Sequence, residues 1–426
     1  VNVVAYGSVE DVPEVDPKDV PRDEVLAAVF DLKGTHLYVW LDHDVDEVKV
    51  TRFPDVPRDL REERPGLAWI TGSVEPPERE GRAVVLRYGP AASGLWEAGA
   101  FSILTYGEKM LRLAPDLGYK FRDVEGRVEG ESPDVAAVLV ERRCGNFAVH
   151  AAVLFSRLVE RLAGVSPPGE VVAARRMAME LERLREHLWV VHRLAEAASQ
   201  RVAVQTFASL TEDVLRVMGG ALGHRYGFGF TGPGRVREPD PDPVDVVGEV
   251  LEELEDLEDL VEASKIWMDR LHTTCELGPE DVHRYDIEGV PARAAGVARD
   301  VRTMDPYYPG YEPVLRTEGD TVARMWVRYE EAKASALSVL RDVRRAGGWS
   351  EDVDGAEGLA VGVVEAPPGP MVAAVVMKGG KVKALRFRGP SHHLMHAFCA
   401  GAEGEIFTDF PFGYAGFGIY FSDADG

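Results

Sequence analysis

Residues 141–200 read ERRCGNFAVHAAVLFSRLVERLAGVSPPGEVVAARRMAMELERLREHLWVVHRLAEAASQ, and this stretch decides the fold. In FAVHAAVLFSRLVERLAG (147–164) apolar residues recur at three- and four-residue spacing, as on one helix face. Gly164 stands where a C-cap belongs. Residues 169–200 predict a second, long amphipathic helix. Outward from this pair, PDVAAVLVERR (133–143) has the same spacing. Val247, Leu251, Leu254, Leu257, Val261 and Leu271 mark a stripe on one helix from about Asp245 to His272. Its opposite face is crowded with Glu and Asp and reads as solvated. Residues 321–345 predict a further helix.

Strand signals flank this helical centre. RAVVLRYGP (82–90) and AFSILTYGEKMLRL (100–113) are strand-like, with YGEK as a hairpin turn. LAVGVVEAP (359–367) and MVAAVVMKGGKVKALRFR (371–388) form a small β element turning at Lys-Gly-Gly-Lys. In the first 75 residues, THLYVWLDHDVDEVKVTRF (35–53) reads as two strands around an Asp-rich turn, preceded by a short helix at DEVLAAVF (23–30). FPDVPRDLREERPG (53–66) suggests a boundary. The expected fold is α+β and mainly α. A small N-terminal α/β domain (1–75) precedes a large domain (80–426).

The composition excludes several functions. Asp and Glu number 72 against 48 Lys and Arg, for a formal net charge of −24 over 426 residues. A nucleic-acid backbone or an anionic lipid surface is repelled by such a field. Three cysteines (Cys144, Cys275, Cys399) make no disulfide framework and contain no CxxC pair, which points to a reduced intracellular compartment. No basic n-region opens the chain, and no apolar run approaches the ~18–20 residues of a spanning helix. The expectation is a cytoplasmic protein, able to sit peripherally on a membrane complex.

Eight blocks in fixed order then carry a family resemblance. They are YGPAASG (88–94), LGYKFRDVEGR (117–127), ERRCGNFAVHAA (141–152), ELERLREHL (180–188), TEDVLRVMGGALGHRYGFGFTGPGRV (211–236), GVPARAAGVARDVR (289–302), VEAPPGP (364–370) and EIFTDFPFGYAGFGIYFSDADG (405–426). Together they resemble the large subunit of energy-converting nickel–iron hydrogenases and the homologous quinone-pocket, 49-kDa subunit of respiratory complex I. The resemblance covers about residues 80–426. It implies a hydrogenase-large-subunit-like helical core and a buried nickel–iron centre between the first helices and the C-terminus. It also implies an iron–sulfur small-subunit partner, and a membrane module reached through other subunits.

The departures from that pattern bear on activity. Hydrogenases hold their metals with four Cys thiolates in two CxxC pairs, donors that suit nickel and iron. Here Cys144 keeps the first ligand position, and Phe147, Tyr420 and Asp423 occupy the other three. A single thiolate does not hold a bimetallic centre, so the expectation is that the nickel–iron centre and hydrogen cleavage are lost. Ala366, Pro367, Pro368 and Gly369 stand for the family's A-P-R-G, without its Arg. Gly89, Pro90, Ala91, Ala92 and Ser93 stand for G-P-x-H-P, without the His that serves the quinone pocket. What remains is the frame. Glu125 matches the family's proton-passing acid, and Arg293, Arg299, Asp300 and Arg302 match its Arg-rich structural block.

Three functions stay open from these residues. The first is a pseudoenzyme subunit of a redox complex, its former metal site filled by Phe147, Tyr420 and neighbouring aromatics. The second is an active oxidoreductase subunit binding a quinone-like or other small redox carrier, with Glu125 as proton relay. The bland alternative for Glu125 is a buried pair with an Arg of the 293–302 block. The third is a zinc-binding module: in SHHLMHAFCAG, His392, His396 and Cys399 fall at i, i+4 and i+7 of a helix, near one face.

Overall fold

The computed structural model describes residues 2–72 and 74–426, except the side chain of Arg61. Strand β1 (Val3–Tyr6) opens the chain. Strands β2 (Val25–Leu32), β3 (Thr35–Asp42) and β4 (Glu47–Phe53) follow as an antiparallel sheet in that order. The helix expected at residues 23–30 is instead part of β2. Val25, Ala28, Phe30 and Leu32 enter one apolar cluster, while Leu26 and Val29 pack with Tyr38 and Trp40 in another. A strand buried on both faces is an unbroken apolar run, and spacing alone does not separate it from a helix.

The 53–72 segment carries two single-turn helices, α1 (Leu60–Glu63) and α2 (Leu67–Ile70). A second antiparallel sheet joins β5 (Val84–Tyr88), β6 (Ala100–Tyr106) and β7 (Lys109–Asp116). Tyr106 faces Lys109 across the expected turn, and Gly107 takes φ 64° there. The helical part begins with α3 (Val124–Arg127), α4 (Pro133–Val140), α5 (Ala148–Ala163), α6 (Gly169–Ala197) and α7 (Arg201–Leu222). Gly164 closes α5 in the left-handed conformation, its N–H on the Arg161 and Glu160 carbonyls, as its position predicted.

Two short strands, β8 (Thr231–Gly232) and β9 (Arg235–Val236), lead to α8 (Val246–Glu262) and α9 (Lys265–Leu271). The single helix expected over 245–272 is therefore two. Ser264 leaves the helical region at ψ 79°, and its hydroxyl donates to Gln200 Oε1 at 3.2 Å. A serine side chain with such a partner offers the backbone an alternative to helix. After α10 (Pro279–Arg284) and α11 (Val290–Ala294) comes α12 (Thr321–Asp342), whose N-cap Asp320 accepts from Ala323 N at 2.9 Å.

Strand β10 (Trp349–Ser350) completes a small sheet with β9 and β8. Strands β11 (Gly358–Ala366), β12 (Gly369–Lys378) and β13 (Lys381–Arg388) form the expected meander, and β1 pairs antiparallel with β11 to extend it. The chain ends in α13 (Pro390–Gly401), α14 (Phe410–Phe417) and α15 (Phe421–Asp425). Among the described residues no helix is long and apolar enough to cross a membrane.

Helix α6 is the axis of the molecule, packed by α5, α7, α12 and α14. It is not the amphipathic helix its sequence suggests. Arg175, Glu180, Glu182, Arg183, Arg185, Glu186 and His187 are all buried, so its polar residues face protein rather than water. Apolar side chains of α6, α7, α8 and α12 form the largest core. A second core lies between α5 and the β11–β13 meander, and a third gathers aromatic residues of β6, α13 and α14.

One close approach positions α11 on the meander. Gly289 has φ 75° and ψ −151°, and a Cβ there would lie 2.1 Å from the Pro368 carbonyl oxygen; the next N–H, of Val290, bonds that oxygen at 3.0 Å. Only glycine adopts this backbone without strain. Gly289→Ala is therefore expected to lower unfolding free energy by about 3 kcal/mol or more, from strain plus backbone displacement. Gly379→Ala is the comparison: φ is 60° with nothing within 4 Å of its Cβ, for a cost of about 1 kcal/mol. Urea unfolding of the two variants checks this; equal midpoints would contradict it.

Candidate functional site

The backbone brings the four ligand positions of the family pattern together. Cys144 precedes a short turn at Gly145–Phe147 that feeds α5, and Tyr420 and Asp423 flank the start of α15. Gly418 makes this possible: at φ 63° it ends α14 left-handed, and a Cβ there would meet the Arg328 guanidinium at 2.4 Å. The Phe147 and Tyr420 rings meet edge to face, centroids 5.4 Å apart, and Trp96 stacks on Tyr420 at 5.4 Å. Trp96 Nε1 donates to the Ile419 carbonyl at 2.8 Å. Cys144, Phe147 and Tyr420 are buried, and Trp96 is partly so.

These residues do not fit a nickel–iron centre. Cys144 is the one sulfur, its Sγ 3.3 Å from Ser422 Oγ, and burial pushes its thiol well up, away from the thiolate a metal binds. Asp423 is already engaged, by the Arg143 guanidinium and by Ser391 N at 2.9 Å. The rings of Phe147, Tyr420 and Trp96 fill the space between.

A buried carboxylate adjoins the rings. Tyr420 Oη donates to Glu186 Oε1 at 2.7 Å, while Oε2 of Glu186 accepts no hydrogen bond among the described residues and lies 3.4 Å from the Arg185 guanidinium. Burial raises Glu186 to about 7, against the opposing pull of Arg185, the Tyr420 hydrogen bond and Arg328. The Glu186 carboxyl therefore titrates above the ordinary carboxylate range.

Beside it, two buried histidines have defined tautomers. His187 Nδ1 faces Arg328 Nη1 at 3.2 Å, and an arginine only donates, so Nδ1 accepts. Nε2–H then donates to Glu331 Oε2 at 3.0 Å. Burial pushes His187 down to about 3 despite Glu331, in agreement with a neutral ring. His150 repeats the logic: Nε2 faces Arg183 Nη2 at 3.4 Å, and Nδ1 donates to Glu182.

Glu331 links this layer to the Arg-rich block. Arg293 lies 3.1 Å from Asp300, 2.9 Å from Glu331 and 2.8 Å from Glu365; Arg302 lies 2.6 Å from Asp300 and 2.9 Å from Glu331. Burial pushes Glu331 up, but Arg293, Arg302 and His187 outweigh it and leave its carboxyl well below the usual value. Arg299 is not in this array. Its Nη1 donates to the carbonyls of Val282 and Ile287, at 3.1 Å each.

The remaining candidates lie apart. Glu125 is partly exposed on α3; its Oε1 accepts from Phe387 N at 2.7 Å and Oε2 lies 3.6 Å from Arg386. Its arginine is thus from β13, not from the 293–302 block. Glu125 lines a surface cavity with Asp31, His36 and Arg388, and neither Cys144 nor Tyr420 reaches it. His392 and His396 are buried on α13, ring centroids 5.9 Å apart, and Cys399 points into an apolar cluster. Burial pushes His396 down to about 4 and the Cys399 thiol up. Among the described residues no three His, Cys, Asp or Glu side chains are arranged to hold a metal ion.

Glu186, His187, Glu331, Glu365 and Trp96 were not among the sequence candidates. The signal available was ELERLREHL itself, where Leu181, Leu184 and Leu188 share one narrow face and polar residues take the rest of the helix. Such a helix, packed on several sides by an otherwise apolar region, must bury ions in pairs.

This geometry defines a class: a mixed α+β chain with the hydrogenase-large-subunit type of fold and no thiolate set at its centre. Known proteins of the same type agree. Residues 209–345 match the family model described as "Respiratory-chain NADH dehydrogenase, 49 Kd subunit". The chain is 27% identical over 255 residues to a D-type subunit of NADH-quinone oxidoreductase from Thermodesulfovibrio yellowstonii, covering 56% of this chain and 62% of that protein. It is 28% identical over 274 residues to the fused C/D protein of the same enzyme from Hydrogenobaculum sp., covering 62% of this chain and 48% of that protein. These matches span less than two-thirds of either relative. A D-type relative from Roseiflexus sp. is 24% identical over 391 residues, 81% of this chain and 93% of that one. Among solved structures, a chain of the membrane-bound sulfane sulfur reductase, an archaeal respiratory membrane complex, superposes with TM-score 0.74 at 23% identity, over 81% of this chain and 98% of that one. The chain is thus similar to 49-kDa-type subunits, at identities below 30%.

The Glu186 geometry sets a pH dependence. Its carboxyl is raised from 4.5 to about 7 in the fold, so the unfolded chain ionises first as pH climbs. Wild type therefore loses stability relative to Glu186→Gln between pH 4.5 and about 7, by a few kcal/mol at most, and the difference levels off above that. Denaturant unfolding of both proteins through this window measures it. A difference independent of pH would contradict the assignment.

Proposed function

We propose that this chain is a core subunit of a membrane-associated respiratory redox complex, without hydrogen-cleaving chemistry of its own. The observation that carries the reading is the centre itself. One protonated thiol, two rings and an Arg-bound carboxylate stand where a nickel–iron centre needs four thiolates. The surrounding frame is intact, with the Arg293–Asp300–Arg302 array buried and paired. Intact frame plus closed centre supports an assembly role: the fold holds its place beside a partner that carries the electrons.

The partner in this reading is an iron–sulfur protein of the hydrogenase small-subunit type, with a membrane module reached through further subunits. The relatives support it, each belonging by name to a NADH-quinone oxidoreductase or to a membrane-bound respiratory complex. Since no helix among the described residues is long and apolar enough to cross a membrane, this reading assigns the helical span to those further subunits.

Affinity purification of the tagged chain from native membranes tests this. The expected result is a complex containing an iron–sulfur subunit, with no deuterium–proton exchange under hydrogen isotopes above that of a control preparation. Exchange activity that co-purifies with this chain, and falls with Tyr420→Ala, would overturn the reading.

A further inference from the structure

The first turns of α7 and the last turns of α8, with α9, bound an open groove of about 460 Å³. Its apolar wall is Val202, Phe207, Leu257, Leu260, Val261 and Trp267. Val202 is 70% exposed and Leu260 55%. Single exposed aliphatic residues are ordinary on protein surfaces, but a run of them along one groove marks a surface that another molecule covers.

A further observation says what covers it. The outward face of α8 is a bank of exposed acids, Glu252, Glu253, Glu255, Asp256, Asp259 and Glu262. Arg201 and Lys265 are the exposed cations at the groove's ends. The potential beside the apolar strip is therefore strongly negative.

We propose that this groove seats an amphipathic helix of a partner protein, with Lys and Arg flanking its apolar face. Apolar anchors of that helix pack on Val202 and Leu260. Its basic residues lie against the α8 carboxylates. Helix-in-groove recognition has this form. A second copy of this chain fits poorly, because two acidic α8 faces would oppose each other in a molecule of net charge −24. The groove and its acidic bank are independent of the centre around Tyr420.

The test uses the full chain and two synthetic peptides of equal length, a Leu/Lys and a Leu/Glu amphipathic helix, followed by fluorescence anisotropy. Leu/Lys is expected to bind at least ~10-fold more tightly than Leu/Glu, and Leu260→Asp to weaken it at least ~10-fold. That variant adds negative charge, so lost binding reports the apolar contact rather than the field. Val45→Asp, equally charged at a residue 58% exposed on the β3–β4 turn, is expected to leave binding unchanged. Unaltered thermal midpoints show that both variants are folded. Equal affinity for the two peptides, equal loss in Val45→Asp, or self-association abolished by Leu260→Asp would overturn the proposal.

Discussion

The interaction on which the rest depends is the buried array of Arg293 and Arg302 with Asp300, Glu331 and Glu365. Its members come from α11, the segment after it, α12 and β11, so it ties the meander to the helical core at one point. Ions so deep each cost several kcal/mol to strip of water, and only complete pairing offsets that. The array is therefore all or none. Once it forms, Glu331 fixes His187, and His187 with Arg328 fixes the layer of α6 that carries Glu186.

From this layer the centre follows. Arg328 Nη2 also donates to the Phe417 carbonyl at 2.7 Å, holding the end of α14 where Gly418 turns the chain. The turn delivers Tyr420 to Glu186 and to the Phe147 ring. In a thiolate site the same backbone points would present sulfur to metal. Here the frame is kept and its centre is rebuilt from buried rings and one buried carboxyl group. An unfilled hole of that size would be costly, since lost contacts scale with cavity volume.

Much of this was legible in the residues. The α5 cap at Gly164 and the β11–β13 meander could both be read directly. Each depends on local chemistry: a left-handed glycine and a two-glycine turn. What escaped depends on tertiary context. β2 looked helical because both its faces are buried. The α8–α9 break rests on Ser264 meeting Gln200, distant in sequence. Glu186 passed as an ordinary helix charge; its carboxyl is raised by burial, against the pull of Arg185, Tyr420 and Arg328, and that burial is set by segments far along the chain. Glu125 shows the converse: its motif matched, yet its contacts are a backbone N–H and Arg386 at a surface cavity.

The central claim is that a packed, thiolate-poor centre occupies an intact hydrogenase-type frame. Elemental analysis of the natively purified chain, with its partners separated beforehand, tests it most directly. The account predicts neither nickel nor iron retained on this chain, with iron following the partner. Near-stoichiometric nickel and iron on the chain itself would contradict it, and would mean that the cluster of Cys144, Phe147, Tyr420 and Asp423 opens to bind metal through donors other than thiolates.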